Sequence, residues 1–192
     1  MMKKNATRQL ILEAVIACIE NYGVDKVTTR KIAQEAGTNI ASINYYFSSK
    51  DDLISEALNM ALQHMFEDVT LIIENRQKTF WEVLRELLTY LLLGAQNYPG
   101  MVMAHIYPSV VEKQASTPGE IVFSKIFTAL FERAKQDFTD KTPDDLRSSL
   151  DQCMTSMMFH MIAPSFFNHD EKISNNQLVE NAVTSFYKSL MD

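Results

Sequence analysis

Turn-forming residues are scarce in this chain: five glycines and five prolines among 192 residues, with no proline before Pro99. So few glycines leave no G-x-x-x-x-G-K or G-x-G-x-x-G loop to cradle a phosphate, and no G-x-S-x-G elbow presents a nucleophilic serine. The two cysteines, Cys18 and Cys153, are too far apart for a zinc knuckle and read as reduced core residues in helical stripes. His64, His105, His160 and His169 show neither H-E-x-x-H nor the paired E-x-x-H of di-iron bundles. These absences argue against an enzyme and leave no catalytic residue, metal ligand or cofactor to assign. No apolar run, that from Tyr90 to Ala95 around one glycine included, is long enough to span a bilayer, so no membrane association is expected. The opening MMKKNATRQL lacks the apolar region of a secretory signal, which makes the cytoplasm the expected location.

Hydrophobic residues make up 46% of the chain and charged ones 22%, the balance of a globular protein with a substantial core. The net charge of −6 argues against nucleic acid until its distribution is read. Residues 1–50 carry seven Lys or Arg against four Asp or Glu, and the rest carry eleven against twenty. A basic head therefore precedes an acidic body, which orients the head toward an anionic partner.

The pattern is helical throughout, about nine helices with no convincing strand, repeat or low-complexity tract, so the expected class is all-α. Residues 1–6 show no apolar period and read as a frayed arm. Ile11, Val15, Cys18, Ile19 and Tyr22 then line one helical face. The most informative stretch is TTRKIAQEAGTNIASINYYFSSK, Thr28 to Lys50. Thr28 suits an N-cap, Ile32, Ala33 and Ala36 keep helical spacing, and Gly37 supplies a left-handed stop. Asn39 can cap a second helix on which Ile40, Ile43 and Phe47 share one face and Ala41, Ser42, Asn44 and Tyr45 point outward.

Such a pair is a helix-turn-helix whose second helix fits the major groove, with asparagine suited to adenine and small residues to thymine methyls. Thr28, Thr29 and Arg30 at the first turn of the leading helix, and Tyr45, Tyr46 and Lys50 at the far side, suit phosphates. The same spacing also suits an ordinary three-helix packing unit with a polar outer face.

Gly23, then VTTRKIAQEAG, then a short helix ending NYYF, then SKDDL, resembles in register the DNA-binding domain of the TetR family of one-component repressors. The resemblance covers roughly residues 7 to 60. It implies operator contacts, mostly to the backbone, by Thr29, Arg30, Thr38, Ser42, Tyr45, Tyr46 and Lys50. Many members have a tyrosine where Asn44 stands and a valine where Thr38 stands, so base preference does not transfer from relatives. The implied partners are a double-stranded DNA operator, a small-molecule inducer of unknown identity and a second copy of the chain.

The expected division is residues 1–50 as the DNA-binding domain and 51–192 as a helical ligand-binding and dimerisation domain. Ser49 and Asp52 form a capping box that opens a long helix from residue 50 to about 73, free of Gly and Pro, which joins them without a floppy linker. Six of the eleven methionines, Met101 and Met103 on one later helix and Met154, Met157, Met158 and Met161 on another, suit either a core or an adaptable pocket. Family resemblance favours a cavity, with Phe66, Met101, His105, Phe123, Phe127, Met157 and Met161 as its wall. Histidines such as His105 and His160 in apolar stretches are also readily satisfied by a neighbouring carbonyl. The last two helices carry more apolar surface than one monomer core is expected to cover, and a homodimer through them would use Thr155, Met158, Phe159, Val179, Val183 and Phe186. The expected function is a repressor that binds a palindromic operator as a dimer and is released by a small apolar ligand. The competing class is a helical interaction protein with a vestigial DNA-binding head.

Overall fold

The computed structural model describes residues 2–166 and 174–191. The described residues form nine α-helices, two short 3-10 turns and no strand: α1 (Met2–Tyr22), α2 (Thr29–Glu35), α3 (Ile40–Tyr46), α4 (Lys50–Glu74), α5 (Phe80–Asn97), α6 (Pro99–Val110), α7 (Pro118–Asp137), α8 (Pro143–Ile162) and α9 (Asn175–Met191). The first helix begins at Met2, so the stretch read as a frayed arm continues α1. Residues that need no apolar face there are helical because they extend a helix already nucleated by its buried turns.

Two compact units emerge, one holding the chain up to His64 together with Tyr98–Glu120, the other Met65–Asn97 together with the chain from Ile121 on. The expected boundary at residue 50 differs in two ways. Helix α4 gives its first half to one unit and its second half to the other, and α6 belongs with the N-terminal helices. Both differences follow from what is buried. The first core joins Ile11, Val15 and Ile19 of α1 to Ile32, Ile43 and Phe47, to Leu53 and Ala57 of α4, and to Met101 and Ala104 of α6.

In the second unit Val69 and Ile73 of α4 pack with the leucines of α5, with Ile126 and Leu130 of α7, Leu146, Leu150 and Met157 of α8, and Val179, Val183 and Phe186 of α9. Phe80, Trp81, Phe138 and Phe186 close one side of it with ring centroids 5.2 to 6.3 Å apart. Phe80 and Phe186, which are buried, each contribute about 1.5–3 kcal/mol relative to exposure. Arg133 is a buried cation here. It donates to the carbonyls of Ile73 (3.2 Å), Asn75 (3.2 Å) and Lys78 (2.6 Å) and pairs with Asp137 (3.0 Å). Carbonyls at the C-terminal end of α4, left without helical partners, thus receive a charged donor.

Candidate nucleic-acid interface

Helix α1 ends at Gly23, whose φ of 78° turns the chain into a 3-10 turn, and Val27, 1% exposed, anchors the entry to α2. Thr28 caps α2 by accepting the Lys31 N–H at 3.3 Å. The Lys31 side chain is occupied as well: its ammonium donates to the Lys26 carbonyl at 2.9 Å and lies 4.0 Å from the centre of the Tyr22 ring. At Gly37, φ of 61° lets α2 stop within one residue, and the Thr38 N–H reaches back to the Ala33 carbonyl at 2.9 Å. Asn39 then caps α3 by accepting the Ser42 N–H at 2.8 Å. Two short helices are thus held in sequence by two caps and one left-handed turn.

Helix α3 buries Ile43 and, just beyond its end, Phe47, on the first core. The Arg8 guanidinium lies 5.2 Å from the Phe47 ring and pairs with Glu56, so the end of α3 is held between α1 and α4. Tyr46 is half-buried, edge-on to Tyr45 at 5.0 Å. Beyond α3, Ser49 caps α4 by accepting the Asp52 N–H at 3.0 Å, and Ser48 donates to the Asp52 carboxylate at 2.5 Å. The hydrogen bonds from Ser48 and Ser49 hold the Asp52 carboxyl below its ordinary value, so this cap stays charged as pH falls toward the carboxylate range.

Thr28, Arg30, Asn39, Ala41, Asn44, Tyr45 and Lys50 are exposed, while Thr29, Thr38, Ser42 and Tyr46 are half-buried. The Lys50 ammonium has Asp51 at 3.9 Å, which tempers its field. One residue is placed differently from expectation. Ile40, read as an inward partner of Ile43 and Phe47, is 45% exposed, because a seven-residue helix anchored at Ile43 and Phe47 leaves its first position at the edge of the buried stripe. A two-turn helix carries too few apolar positions for periodicity to decide that edge.

The residues expected to wall a ligand cavity divide between the units. Met101 is buried and His105 half-buried in the first, and burial pushes the His105 imidazole down to about 4. Phe66, Phe123, Phe127, Met157 and Met161 lie in the second, where Met157 is core and the other four are half-buried. The aromatic rings there already face cations: Lys125 stands 5.8 Å from the Phe66 ring, and Arg147 stands 5.8 Å from Phe127 and 4.8 Å from Phe131. A groove of about 260 Å³ runs between α8 and α9, lined by Gln152, Ser156, His160, Asn181, Ser185 and Ser189 among others, and of the seven expected residues only Met157 reaches it.

The expected dimer face is also redistributed. Val179, Val183 and Phe186 are 2%, 5% and 1% exposed, turned into the second unit's own core, because α9 packs on α5 and α8. Thr155 and Phe159 are exposed and Met158 is half-buried. Among the described residues there is no His, Cys, Asp and Glu cluster able to hold a metal ion, and no helix long and apolar enough to cross a membrane. His169 lies outside the described residues.

Residues 11–57 match the family model described as bacterial regulatory proteins, tetR family. The chain is 44% identical over 52 residues to the HTH-type transcriptional dual regulator CecR of Shigella flexneri, a stretch that is 27% of this chain and 23% of that protein. It is 31% identical over 101 residues to the nucleoid occlusion factor SlmA of Aliivibrio fischeri, 52% of this chain and 50% of that one. These matches span about half the length of those curated relatives or less. Across the whole fold, the crystal structure of a TetR-family transcriptional regulator from Mesorhizobium loti superposes with a TM-score of 0.69 at 16% identity, covering 98% of this chain and 96% of that one.

Proposed function

We propose that this chain, whose residues 11–57 match the model of the tetR family of bacterial regulatory proteins, is a repressor that occupies a pseudo-palindromic operator as a dimer and leaves it when a small, largely apolar molecule binds. The observation that carries the reading is the outer side of α3. Ala41, Asn44 and Tyr45 stand exposed on a helix fixed by the Asn39 cap, with Arg30 and Lys50 exposed to either side for phosphates.

Two copies related by a two-fold axis meet two equivalent half-sites, with recognition helices about 34–36 Å apart. The dimer face of this reading is the outward side of α8 and α9. There Gln152, Ser156, Asn181 and Ser185 are short or polar, so that partner helices approach closely along the groove. Thr155, Met158 and Phe159 extend that face. Ser156→Arg and Ser185→Arg place a long cation in the groove, and the expected product is a folded monomer with weakened operator binding. Dimers of both variants in sedimentation equilibrium at micromolar concentration would remove this face from the reading.

For the ligand, Phe66, Phe127 and Met161 pack incompletely against the second core. With Lys125 and Arg147 already over those rings, a neutral or anionic amphiphile suits them better than a cation. Helix α4 carries the consequence, since Leu53 and Ala57 are buried in one core and Val69 and Ile73 in the other along one uninterrupted helix. A tenfold loss of operator affinity needs a difference of about 1.4 kcal/mol between the two states' ligand affinities. The test is selection of an operator from random DNA, followed by titration of thermal-shift hits against the complex. A chain that selects no sequence would instead be a helical interaction protein.

A further inference from the structure

Resting on the regulator reading, we propose that Ile40 is a base-reading residue of α3 that packs on the 5-methyl group of one thymine in each operator half-site. At 3.6 residues per turn, Ile40, Asn44, Ala41 and Tyr45 fall at about 0°, 40°, 100° and 140° around α3, a single arc, while Ser42 and Ile43 fall at about 200° and 300°. Exposure follows the same division: all four residues of the arc are exposed, Ser42 is half-buried and Ile43 is 2% exposed. Ile40 therefore stands on the exposed side of the helix at the edge that borders the buried Ile43 and Phe47, and Ser42 stands at the opposite edge.

The side chain suits one feature of DNA. The thymine 5-methyl is the apolar feature among the base edges of the major groove, and an apolar side chain at van der Waals distance is what recognises it. Isoleucine is also stiff, with one strongly preferred χ1 rotamer in a helix, so its branched tip is positioned before DNA arrives. The backbone beneath it is fixed as well, since the Asn39 side chain accepts the Ser42 N–H at 2.8 Å and closes the turn that carries Ile40. Nothing in packing asks for an apolar group here, because Ile43 and Phe47 supply the contact of α3 with the first core. Asn44, one turn further on the same arc, has the amide suited to an adjacent adenine. The arc thus reads an A·T-containing step through one amide and one branched alkyl group.

The experiment uses the full chain and its operator selected from random DNA. Each thymine of a half-site is replaced in turn by deoxyuridine, which removes only the methyl group, and affinity is measured for the wild-type chain, Ile40→Ala and Ile40→Thr. The expected result is one thymine whose replacement weakens the wild-type chain about fourfold per half-site, the worth of one buried methyl-sized group, and weakens both variants by a clearly smaller factor, since neither short side chain keeps the branched tip. The variants should keep the wild-type melting temperature and salt dependence, as befits an exposed residue that touches no phosphate. If no thymine replacement weakens the wild-type chain, or if each weakens the variants by the same factor, the assignment is overturned while the regulator reading stands. A chain that selects no operator overturns both.

Discussion

The carboxylate of Glu20, in the last turn of α1, accepts the backbone N–H groups of Gly100 at 2.9 Å and Met101 at 2.7 Å, the first turn of α6. Tyr98, the N-cap residue of α6, makes no side-chain cap hydrogen bond, and Glu20, 80 positions before Gly100, supplies the cap. A negative charge is unfavourable at the C-terminal end of its own helix and favourable at the start of another, and the second effect offsets the first. Glu20→Ala should cost about 1–2 kcal/mol in denaturant unfolding. Glu20→Gln keeps one acceptor and should fall between. Equal stability of all three chains would show that α6 is held by its apolar contacts alone.

Gly100 lies directly against the end of α1. A Cβ there would stand 2.9 Å from the Ile19 carbonyl oxygen and 3.2 Å from the Glu20 Cα, backbone atoms that move only with the helix. Gly94 in α5 has nothing within 4 Å of the same position. Gly→Ala should therefore split in sign: Gly94→Ala stabilises by about 0.8–1 kcal/mol through helix propensity, whereas Gly100→Ala destabilises by about 1–3 kcal/mol through overpacking. Urea midpoints of the two variants, at unchanged slope, decide it.

Burial holds the His105 imidazole at about 4, against an ordinary value near 6.5. Between those values the unfolded chain takes up a proton that the folded chain refuses, so folding stability rises with pH across that window and is lost as pH falls from about 6.5 to 4. His105→Gln removes the titration. The wild-type chain should lose about 1–3 kcal/mol more than the variant on going from pH 7 to pH 4, a comparison in which the shared carboxylate titrations cancel. Parallel stability curves for the two chains would mean that this imidazole takes up its proton in the folded state.

What the sequence made legible is local. Caps act over three residues, so Thr28, Asn39 and Ser49 were readable from residue type and spacing, and each accepts the expected N–H. The long run of apolar residues without Gly or Pro likewise gave α4, Lys50–Glu74. Contacts between distant segments were not legible. Nothing near Tyr98 or Glu20 says that one caps the helix that begins beside the other, and so the membership of α6 in the first unit was hidden. Apolar spacing in α9 showed that Val179, Val183 and Phe186 are covered. It could not show that α5 and α8 of the same chain do the covering.

Arg133 tests how much the end of α4 matters. Its guanidinium satisfies three carbonyls and a carboxylate in a site where the side chain is 5% exposed. Arg133→Met would leave those oxygens without their donor, with an expected loss of about 3–5 kcal/mol. Arg133→Lys should recover little, because one ammonium cannot reproduce a planar fork directed at several acceptors. A lysine variant as stable as the wild type would show that charge alone suffices at this helix end.

Contacts that position the protein on DNA and contacts that read bases separate in their salt dependence. Lys50 stands at the first turn of α4 with its ammonium near Asp51, exposed beside α3, and suits a phosphate; Asn44 stands on the outward arc of α3 and suits a base edge. Losing one phosphate contact in each half of a dimer should lower the slope of log affinity against log salt by about two and weaken all sequences alike. Lys50→Ala is expected to behave so. Asn44→Ala should keep the wild-type slope and lose about 1–3 kcal/mol of discrimination at one base pair per half-site, read from competition with operators altered at single positions. Should Lys50→Ala change which bases are preferred while Asn44→Ala lowers affinity for every sequence equally, the two roles are interchanged, and the start of α4 would have to reach a base edge.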